Sequence, residues 1–275
     1  MSSLSTNGVA LSDMNPGRFF RRQKTMLTLF LGGMIVITMG ASAIADFDLV
    51  DAIEAIPSVA VWMVSNLLPD SAALARLPRI LDRLVETIFM SITASVSAAI
   101  FSFLFALLGS VTTTPGGFFA ALARAIASIN RNIPVAAWAM IFLLAFGQSS
   151  FTGFLALFFA TFGFLTRAFI ETIDEASASS VEALRASGAS YSHTIAQAVV
   201  PASLPQMLSW LLYMIETNIR SATLVGLLTG SGIGFMFDIY YKSLQYKSAA
   251  LVVICIVLVV LAIDMTSNAL RRVIL

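Results

Sequence analysis

Long apolar runs separated by short polar segments extend over most of the chain. A transmembrane helix needs about 20 apolar residues to cross the hydrocarbon core of a bilayer. Six stretches have this character or come close to it. They are Met26–Ala45, Val85–Gly109, Pro134–Gly147, Phe151–Ile170, Leu204–Leu227 and Ala249–Ala269. The pattern predicts an all-α, polytopic integral membrane protein with about six transmembrane helices.

Two apolar stretches need a separate interpretation. Pro134–Gly147 is short for a span, and it reaches full length only if the helix predicted over Phe118–Ile129 continues into it. Ile53–Leu68 is apolar, but acidic residues lie near both of its ends, at Asp51 and Asp70. We therefore predict that Ile53–Leu68 is an interfacial or packed helix rather than a span.

The positions of lysine and arginine predict the orientation of the spans, because cytoplasmic loops carry an excess of both. With the N-terminus inside, Arg220 falls within a span. The inner segments then hold Arg18, Arg21, Arg22, Lys24, Arg124, Arg131, Arg167, Arg185, Arg271 and Arg272, and the outer segments hold Arg76, Arg79, Arg83, Lys242 and Lys247. This bias predicts that both termini are cytoplasmic.

The first apolar run resembles a signal peptide because basic residues precede it and small residues follow it. Its length exceeds the roughly 7–15 residues of a signal-peptide core, which favours an uncleaved first helix. The predicted organisation is a cytoplasmic tail at 1–25, a first transmembrane helix at 26–45, a periplasmic segment at 46–83 and a helical core at 84–275. The core contains one long polar inner loop, at 171–201.

Composition supports a membrane protein and argues against several other classes. The chain is 58% hydrophobic and only 11% charged, with a mean hydropathy of +0.90, whereas soluble domains carry roughly 25% charged residues. A net charge of +1 does not favour a nucleic-acid partner. Cys255 and His193 are the single cysteine and histidine, so no Cys/His cluster predicts a metal site. An enzyme would need a cluster of a nucleophile, a base or metal ligands, and the sequence shows no such cluster.

The inner loop carries several local structure signals. A capping box predicts a helix that begins at Ser180, and Gly188 is suited to the position just past its end. Ser190 can cap a second short helix, which Pro201 is expected to terminate. The loop therefore predicts a helix, a turn and a second helix at the inner face of the membrane.

This loop resembles the EAA loop of ABC importer permeases. The family pattern is Glu-Ala-Ala, three residues, Gly, nine residues, Ile, one residue, Leu-Pro. Glu182, Ala183, Gly188 and Pro201 match in register, while Leu184, Ala198 and Val200 depart from the pattern and remain apolar. The run Glu216-Thr217-Asn218-Ile219-Arg220-Ser221-Ala222-Thr223, together with Gly230-Ser231-Gly232-Ile233-Gly234, is similar to the phosphonate-type permeases of that superfamily.

The resemblance implies a fold, a function and a set of partners. The fold is that of a type I ABC importer permease in the bacterial inner membrane, and the cargo is a small phosphorus oxyanion such as a phosphonate. The expected partners are an ATPase dimer that holds ATP and Mg, a second permease copy, and a periplasmic or lipid-anchored substrate-binding protein. No cofactor is expected on this chain. The residues implied in ATPase coupling are Glu182, Ala183, Arg185, Ala186, Gly188 and Pro201.

A second group of residues is a candidate for the translocation pathway or a gate. Glu216 and Arg220 are four residues apart and can pair on one helix face, either as a structural lock or as a contact to an anionic substrate. Asn218 lies on another face and is a candidate for a subunit contact. The group comprises Glu216, Asn218, Arg220, Ser221, Thr223, Gly230, Gly232 and Gly234. We interpret the glycines as a flexible re-entrant turn near the outer gate, with ordinary loop punctuation as the alternative.

Two other functions remain open from the sequence. Within the importer class, the cargo can be another small solute, such as phosphite, a phosphate ester or an amino acid. In a different class, the chain can be an ion-driven secondary transporter that uses Glu216 and Asp264 as proton or sodium carriers. The second alternative predicts transport by this chain alone, whereas the importer hypothesis predicts none without an ATPase.

Overall fold

The structure is a computed structural model that describes residues 16–45 and 47–274, and this part of the chain is helical and contains no strand. In chain order the helices are α1 (Pro16–Ile44), α2 (Leu49–Leu67), α3 (Ser71–Leu74), α4 (Leu77–Gly109), α5 (Gly117–Asn132), α6 (Val135–Phe146), α7 (Ser150–Ala186), α8 (Tyr191–Thr194), α9 (Val200–Thr229), α10 (Gly232–Lys242) and α11 (Tyr246–Ile274). A π-helical segment, Ile195–Val199, joins α8 to α9.

The chain divides into two packing units, Met1–Val64 and Ser65–Leu275. In the first unit, no residue of the apolar stretch Phe20–Ile44 of α1 is buried within the chain. A helix with all its backbone hydrogen bonds internal and an apolar surface is suited to lipid. The second unit contains α3 to α11 and all of the candidate site residues.

The predicted fold class is confirmed. Five helical stretches are long and apolar enough to cross a membrane, and α5 with α6 gives a sixth if that bent pair counts as one span. The five are Phe20–Ile44, Leu77–Gly109, Ser150–Ala186, Tyr191–Thr229 and Tyr246–Arg272. The segment predicted to be an interfacial or packed helix is helical as α2 and does not qualify as a span among the described residues.

The third span is broken rather than continuous. The axes of α5 and α6 differ by 92°, so the helix that covers Phe118–Ile129 does not continue straight into the next one, and the condition for a continuous third span is not met. The break lies at Ile133 and Pro134, where Ile133 is extended. Proline disfavours a helical conformation in the residue before it, and it has no N–H to continue the ladder. The 12 residues of α6 span about 18 Å, less than the bilayer core.

Helix α7 corrects the prediction for the inner loop. It runs without interruption from Ser150 to Ala186, so no separate helix begins at Ser180. The residues predicted to be loop continue the buried side of the helix, with Ile173, Ser177 and Val181 all buried. This burial at helical spacing outweighs the local capping signal, because tertiary packing supplies most helical stability in proteins.

Pro201 does not terminate a helix, contrary to the prediction. It lies in the first turn of α9, which continues to Thr229. Helical structure is continuous from Tyr191 to Thr229, and proline is tolerated here because the π-helical turn just before it already interrupts the regular ladder of hydrogen bonds. Just before it, the N–H of Val200 donates to the carbonyl of Ile195, which closes the π-helical turn.

The bundle is centred on α7, which packs against α4 on one side and α9 on another. One core cluster at this centre includes Leu165, Phe169, Ile173 and Val181 of α7 and Met207 of α9. A second cluster packs α4 against α10 and α11. A third cluster packs α6 against α7 and α9. Because α7 and α9 both continue into the 171–201 loop, the loop is part of the packed bundle.

Candidate functional site

The turn between α7 and α8 is a Schellman motif with Gly188 at its left-handed position. Gly188 has φ +80°. Its N–H donates to the carbonyl of Arg185 at 3.0 Å, and the N–H of Ala189 donates to that of Leu184 at 3.0 Å. A left-handed conformation is nearly free of cost only for glycine. Nothing lies within 4 Å of the position that a Cβ at Gly188 would take, so the backbone conformation alone requires glycine.

The end of α7 has a buried side and an exposed side. Val181 is buried and Leu184 packs against the same core cluster, which fixes the helix to the bundle. The predicted coupling residues Glu182, Ala183, Arg185 and Ala186 are exposed. The structure thus presents small and charged side chains on a surface that is held rigidly from behind.

The far side of the loop is anchored in the same way. Thr194, Ala198 and Val199 are buried, whereas Tyr191 and His193 of α8 are exposed. Ser190 begins α8, as predicted, although its side chain makes no cap hydrogen bond. Pro201 is exposed at the start of α9 and takes no part in the turn at Gly188.

A polar cluster around Asp174 joins the loop to the α4–α5 connection, and no pattern in the sequence indicated it. Oδ1 of Asp174 accepts hydrogen bonds from the Thr112 N–H at 3.1 Å and the Thr112 hydroxyl at 3.0 Å, and from Ser110. Arg124 lies 3.9 Å from the same carboxylate and donates to the Gly109 carbonyl at 2.7 Å. These partners are far apart in the chain, so no local pattern could have revealed the cluster.

Arg185 connects this cluster to the predicted coupling residues. Its Nη2 donates to the carbonyl of Thr112 at 2.9 Å. The guanidinium therefore cross-links the last turn of α7 to the connection between α4 and α5. The end of α7 is therefore attached to the segment after α4 by this hydrogen bond as well as by the packing of α7 against α4.

The predicted pair on α9 is present and has a third member. Nη2 of Arg220 donates to Oε1 of Glu216 at 2.7 Å. Arg271 of α11 places Nη2 3.5 Å from Oε2 of the same carboxylate. The side chain of Glu216 is only 9% exposed, whereas that of Arg220 is 51% exposed. The sequence pattern did not indicate Arg271, because α11 meets α9 only in the folded bundle.

Asn218 does not line a subunit contact, contrary to the prediction. It is buried within the chain, and its Nδ2 donates to the Ser95 hydroxyl at 2.8 Å and the Thr161 hydroxyl at 2.7 Å. These two bonds join α9 to α4 and to α7. Small polar residues at helix interfaces commonly serve this purpose in membrane proteins.

The remaining α9 candidates, Ser221 and Thr223, are half-buried. The Thr223 hydroxyl donates to the carbonyl of Arg220 within the helix at 2.7 Å, so this side chain is bonded to its own helix.

The glycine-rich segment after α9 forms a turn, and this turn is closely packed, contrary to the flexibility predicted for it. Gly230 ends α9 in a left-handed conformation, and α10 begins at Gly232. A Cβ on Gly234 would lie 1.9 Å from the Thr223 carbonyl oxygen, and one on Gly226 would lie 2.3 Å from that of Ser231. Glycine is thus required for α10 to fold back against α9.

The same turn is fixed to α4. The N–H of Ile233 donates to the Thr87 hydroxyl at 2.8 Å. The Cβ that Gly232 lacks would lie 2.3 Å from that hydroxyl oxygen. The turn, the start of α10 and α4 are therefore one closely packed region. No group of three or more His, Cys, Asp or Glu side chains suited to a metal ion occurs in residues 16–45 and 47–274.

Comparison with curated proteins finds relatives of about 30% identity. The chain is 31% identical over 228 residues to the phosphate-import permease protein PhnE of Mycolicibacterium smegmatis. The matched region covers 82% of this chain and 42% of that protein. It is 29% identical over 245 residues to the phosphite transport system permease protein PtxC of Stutzerimonas stutzeri, covering 87% of this chain and 88% of that protein. The chain thus spans less than half the length of the first relative and most of the second.

Solved structures share the fold. The chain resembles a subunit of the MetNI methionine ABC transporter in an inward-facing conformation, with a TM-score of 0.59 and 18% identity over 72% of this chain and 98% of that chain. It also resembles an ABC transporter involved in import of the acidic polysaccharide alginate, with a TM-score of 0.56 and 15% identity over 93% of this chain and 98% of that one.

The family comparison covers nearly all of the second packing unit. Residues 71–274 match the family described as binding-protein-dependent transport system inner membrane component. The matched region contains the Gly188 turn, the Asp174 cluster, the charged group on α9 and the glycine turn after it. The chain therefore belongs to this family of inner membrane permease components, which shares the type I ABC importer fold.

Proposed function

We propose that this chain is the permease subunit of an ATP-driven importer that carries a small phosphorus oxyanion, such as a phosphonate, phosphite or phosphate, across the bacterial inner membrane. The observation that carries the proposal is the similarity, over more than four fifths of the chain, to permeases named for phosphate import and phosphite transport. The half-exposed Arg220 within an apolar helix is compatible with an anionic cargo.

The 171–201 loop is the ATPase docking site in this proposal. The exposed face of the α7 end consists of Glu182, Ala183, Arg185 and Ala186. Because the two alanine side chains are small, this end of the helix can enter a groove on the partner. Glu182 can make a charge-assisted hydrogen bond to a basic group of the partner. Val181 and Val199 hold the loop on the core, so closure of an ATPase dimer around ATP and Mg moves the spans instead of bending the loop.

A second permease copy completes the pathway. Tyr213, Arg220, Leu224 and Leu227 recur at helical spacing along α9, and all four are exposed in this chain. An arginine at membrane depth is costly against lipid and tends to face a water-filled cavity or another chain. We therefore place this α9 face at the axis of a homodimer, lining the pathway, and assign alternating access to the movement of two such faces.

The proposed topology follows from docking of the ATPase at the 171–201 loop, because the ATPase is cytoplasmic. The Gly188 turn faces the cytoplasm, both termini are cytoplasmic, and the glycine turn after α9 faces the outside near the gate. The tail at 1–25, the first span at 26–45 and the periplasmic segment at 46–83 precede the permease core at 84–275. A periplasmic or lipid-anchored binding protein delivers the cargo to the outer side, and this chain needs no cofactor of its own.

Co-purification with an ATPase assay tests the proposal. Tagged chain is purified from native membranes, and ATP hydrolysis is measured with and without the binding protein loaded with methylphosphonate, phosphite or phosphate. We expect an ATPase to co-purify and its activity to rise with the loaded binding protein. A chain that purifies alone and transports solute in liposomes on an ion gradient contradicts the importer proposal. Stimulation by an amino acid but by none of the three phosphorus compounds contradicts the cargo assignment alone.

A further inference from the structure

The charged group on α9 and α11 carries more positive than negative charge. Glu216 is the one carboxylate, and two guanidinium groups, from Arg220 and Arg271, lie within ion-pair distance of it. No second carboxylate lies within that distance of either arginine among the residues the structure describes. Glu216 and Arg220 lie within one candidate span, and Arg271 lies in the last turn of another. An excess positive charge inside or at the edge of the bilayer is stabilised when an anion or water shares it.

Arg271 has hydrogen-bonding capacity that the described chain does not use. Its Nε and Nη2 atoms are buried and make no hydrogen bond within residues 16–45 and 47–274, although Nη2 is near Glu216. A guanidinium presents five N–H donors in a planar fork. Buried donors of this kind are almost always satisfied in native proteins, so the Arg271 fork is suited to an acceptor that the described chain does not supply.

Arg220 opens the group to the uncovered face of α9. About half of its side chain is exposed, between Tyr213 on one side and Leu224 on the other. Glu216 is buried behind it and fixes one of its nitrogens. Among the described residues, Glu216 is the acceptor of the one hydrogen bond that the Arg220 guanidinium donates. Its other N–H groups are therefore available on the face that we assign to the pathway.

We propose that Arg220 and Arg271 form an oxyanion subsite in the translocation pathway, with Glu216 as the internal counter-ion that holds the two guanidinium groups together between transport cycles. This inference rests on the proposed function of the chain. A tetrahedral phosphorus oxyanion presents several acceptor oxygens to two forks, and guanidinium matches such groups in a bidentate manner. Glu216 limits the net charge to one, which keeps binding weak enough for release.

The test uses the complete transporter, with its ATPase and binding protein, in proteoliposomes that contain ATP. Uptake of phosphate and methylphosphonate is measured beside ATP hydrolysis for wild type and for the Arg271→Ala variant. We expect uptake to fall about tenfold, which corresponds to the loss of one charge-assisted hydrogen bond. Stimulation of ATP hydrolysis by the loaded binding protein should remain, because docking at the loop is unchanged. Arg271→Lys should recover part of the uptake.

The matched control is Arg167→Ala. Arg167 pairs with Glu171 at 2.6 Å with the same spacing as the Arg220 pair, and both of those side chains are exposed. Its uptake should equal that of wild type. Unchanged uptake in Arg271→Ala overturns the subsite, provided that wild type transports these anions. If wild type transports neither anion, the proposed cargo fails instead.

The double variant Glu216→Ala with Arg220→Ala separates a subsite from a structural lock. The double variant leaves no buried carboxylate but also removes the counter-ion of Arg271, so uptake is normalised to the amount of assembled transporter and compared with that of Arg220→Ala alone. The subsite predicts that uptake stays low in the double variant. Uptake restored to the wild-type level shows that the pair only locks α9, and it overturns the proposal.

Discussion

Glycines at the two ends of the helix bundle are required for different physical reasons. Gly188 has a left-handed backbone, and the space where its Cβ would lie is empty. Gly226 and Gly234 are not among the residues with positive φ, but a Cβ on either would collide with a carbonyl oxygen. One end of the bundle thus turns sharply and leaves its surface open, and the other brings two helices into close contact.

This difference agrees with docking of the ATPase at the Gly188 end of the bundle. An exposed turn, anchored from behind by Val181 and Leu184, offers a surface for another protein to bind. The turn after α9 is filled by its own chain, with Thr87 bonded to the backbone of Ile233. Substitutions at the open end should therefore affect coupling more than folding, and substitutions at the closed end should do the reverse.

The largest effect is expected for Gly234→Ala. Its Cβ would lie 1.9 Å from the Thr223 carbonyl oxygen, and backbone atoms on both sides leave little room for adjustment. We expect a destabilisation of about 1–3 kcal/mol or more, measured as a loss of monodisperse protein in detergent and a lower melting temperature. Gly117→Ala is the control, because nothing lies within 4 Å of its Cβ position. Equal stability of the two variants would contradict close packing at the α9–α10 turn.

Asn218→Ala should have the next largest effect on stability. The substitution removes two buried hydrogen bonds, to Ser95 and Thr161, which join three helices. Interhelical bonds in membranes contribute less than expected from burial alone, so the loss should be roughly 1–2 kcal/mol. Thermal unfolding of the purified protein measures it. Asn268→Ala serves as the exposed control, and a melting temperature no lower than that of this control argues against Asn218 as a packing residue.

Gly188→Leu should leave folding nearly intact and uncouple ATP hydrolysis from transport. The left-handed backbone costs a residue with a Cβ about 1–2 kcal/mol, and the bulky side chain would occupy the proposed docking surface. The ratio of solute transported to ATP hydrolysed in the complete transporter measures coupling. Gly188→Asn separates the two causes, because asparagine tolerates this conformation better than leucine. Normal coupling in Gly188→Leu counts against the docking loop.

The smallest effect concerns pH and Asp70, which begins the short helix α3. The Ala73 N–H at 2.9 Å and the Lys247 ammonium at 3.3 Å hold the pKa of this carboxylate below its ordinary value. A lowered pKa contributes stability above the unfolded pKa, and this contribution is lost as the pH falls through the folded value. Hydrogen exchange at Ala73 should therefore show less protection at acidic pH than at neutral pH, after correction for intrinsic exchange rates. A profile identical to that of Asp70→Asn would remove the carboxylate as the cause.

The sequence predicted features that depend on local chemistry. Apolar runs located the spans, because lipid imposes the same length on each of them. Gly188 was recognised because a helix end needs a left-handed residue whatever surrounds it. The pair of Glu216 and Arg220 followed from helical spacing alone.

Features that depend on packing between distant segments were not predicted. The helix start predicted at Ser180 is absent because Ile173 and Val181 are buried against other helices, and this burial continues α7 through that position. Asp174 contacts Thr112 across 62 residues of chain, and Arg271 reaches Glu216 from another helix. Asn218 was assigned to a subunit contact because a helical pattern shows which residues share a face, but not which neighbour covers that face.

Site-directed cross-linking tests most directly the claim that the Gly188 end docks the ATPase. Ala186→Cys places an exposed thiol at that end, and the native Cys255 is buried. Leu244→Cys places a second exposed thiol after α10, 71% exposed as leucine, at the opposite end. A short maleimide–benzophenone cross-linker, attached to the introduced thiol and activated by light so that it inserts into a neighbouring C–H bond, should join Ala186→Cys, and not Leu244→Cys, to the ATPase in the complete transporter. No ATPase adduct at position 186, or equal adducts at both positions, would contradict the account.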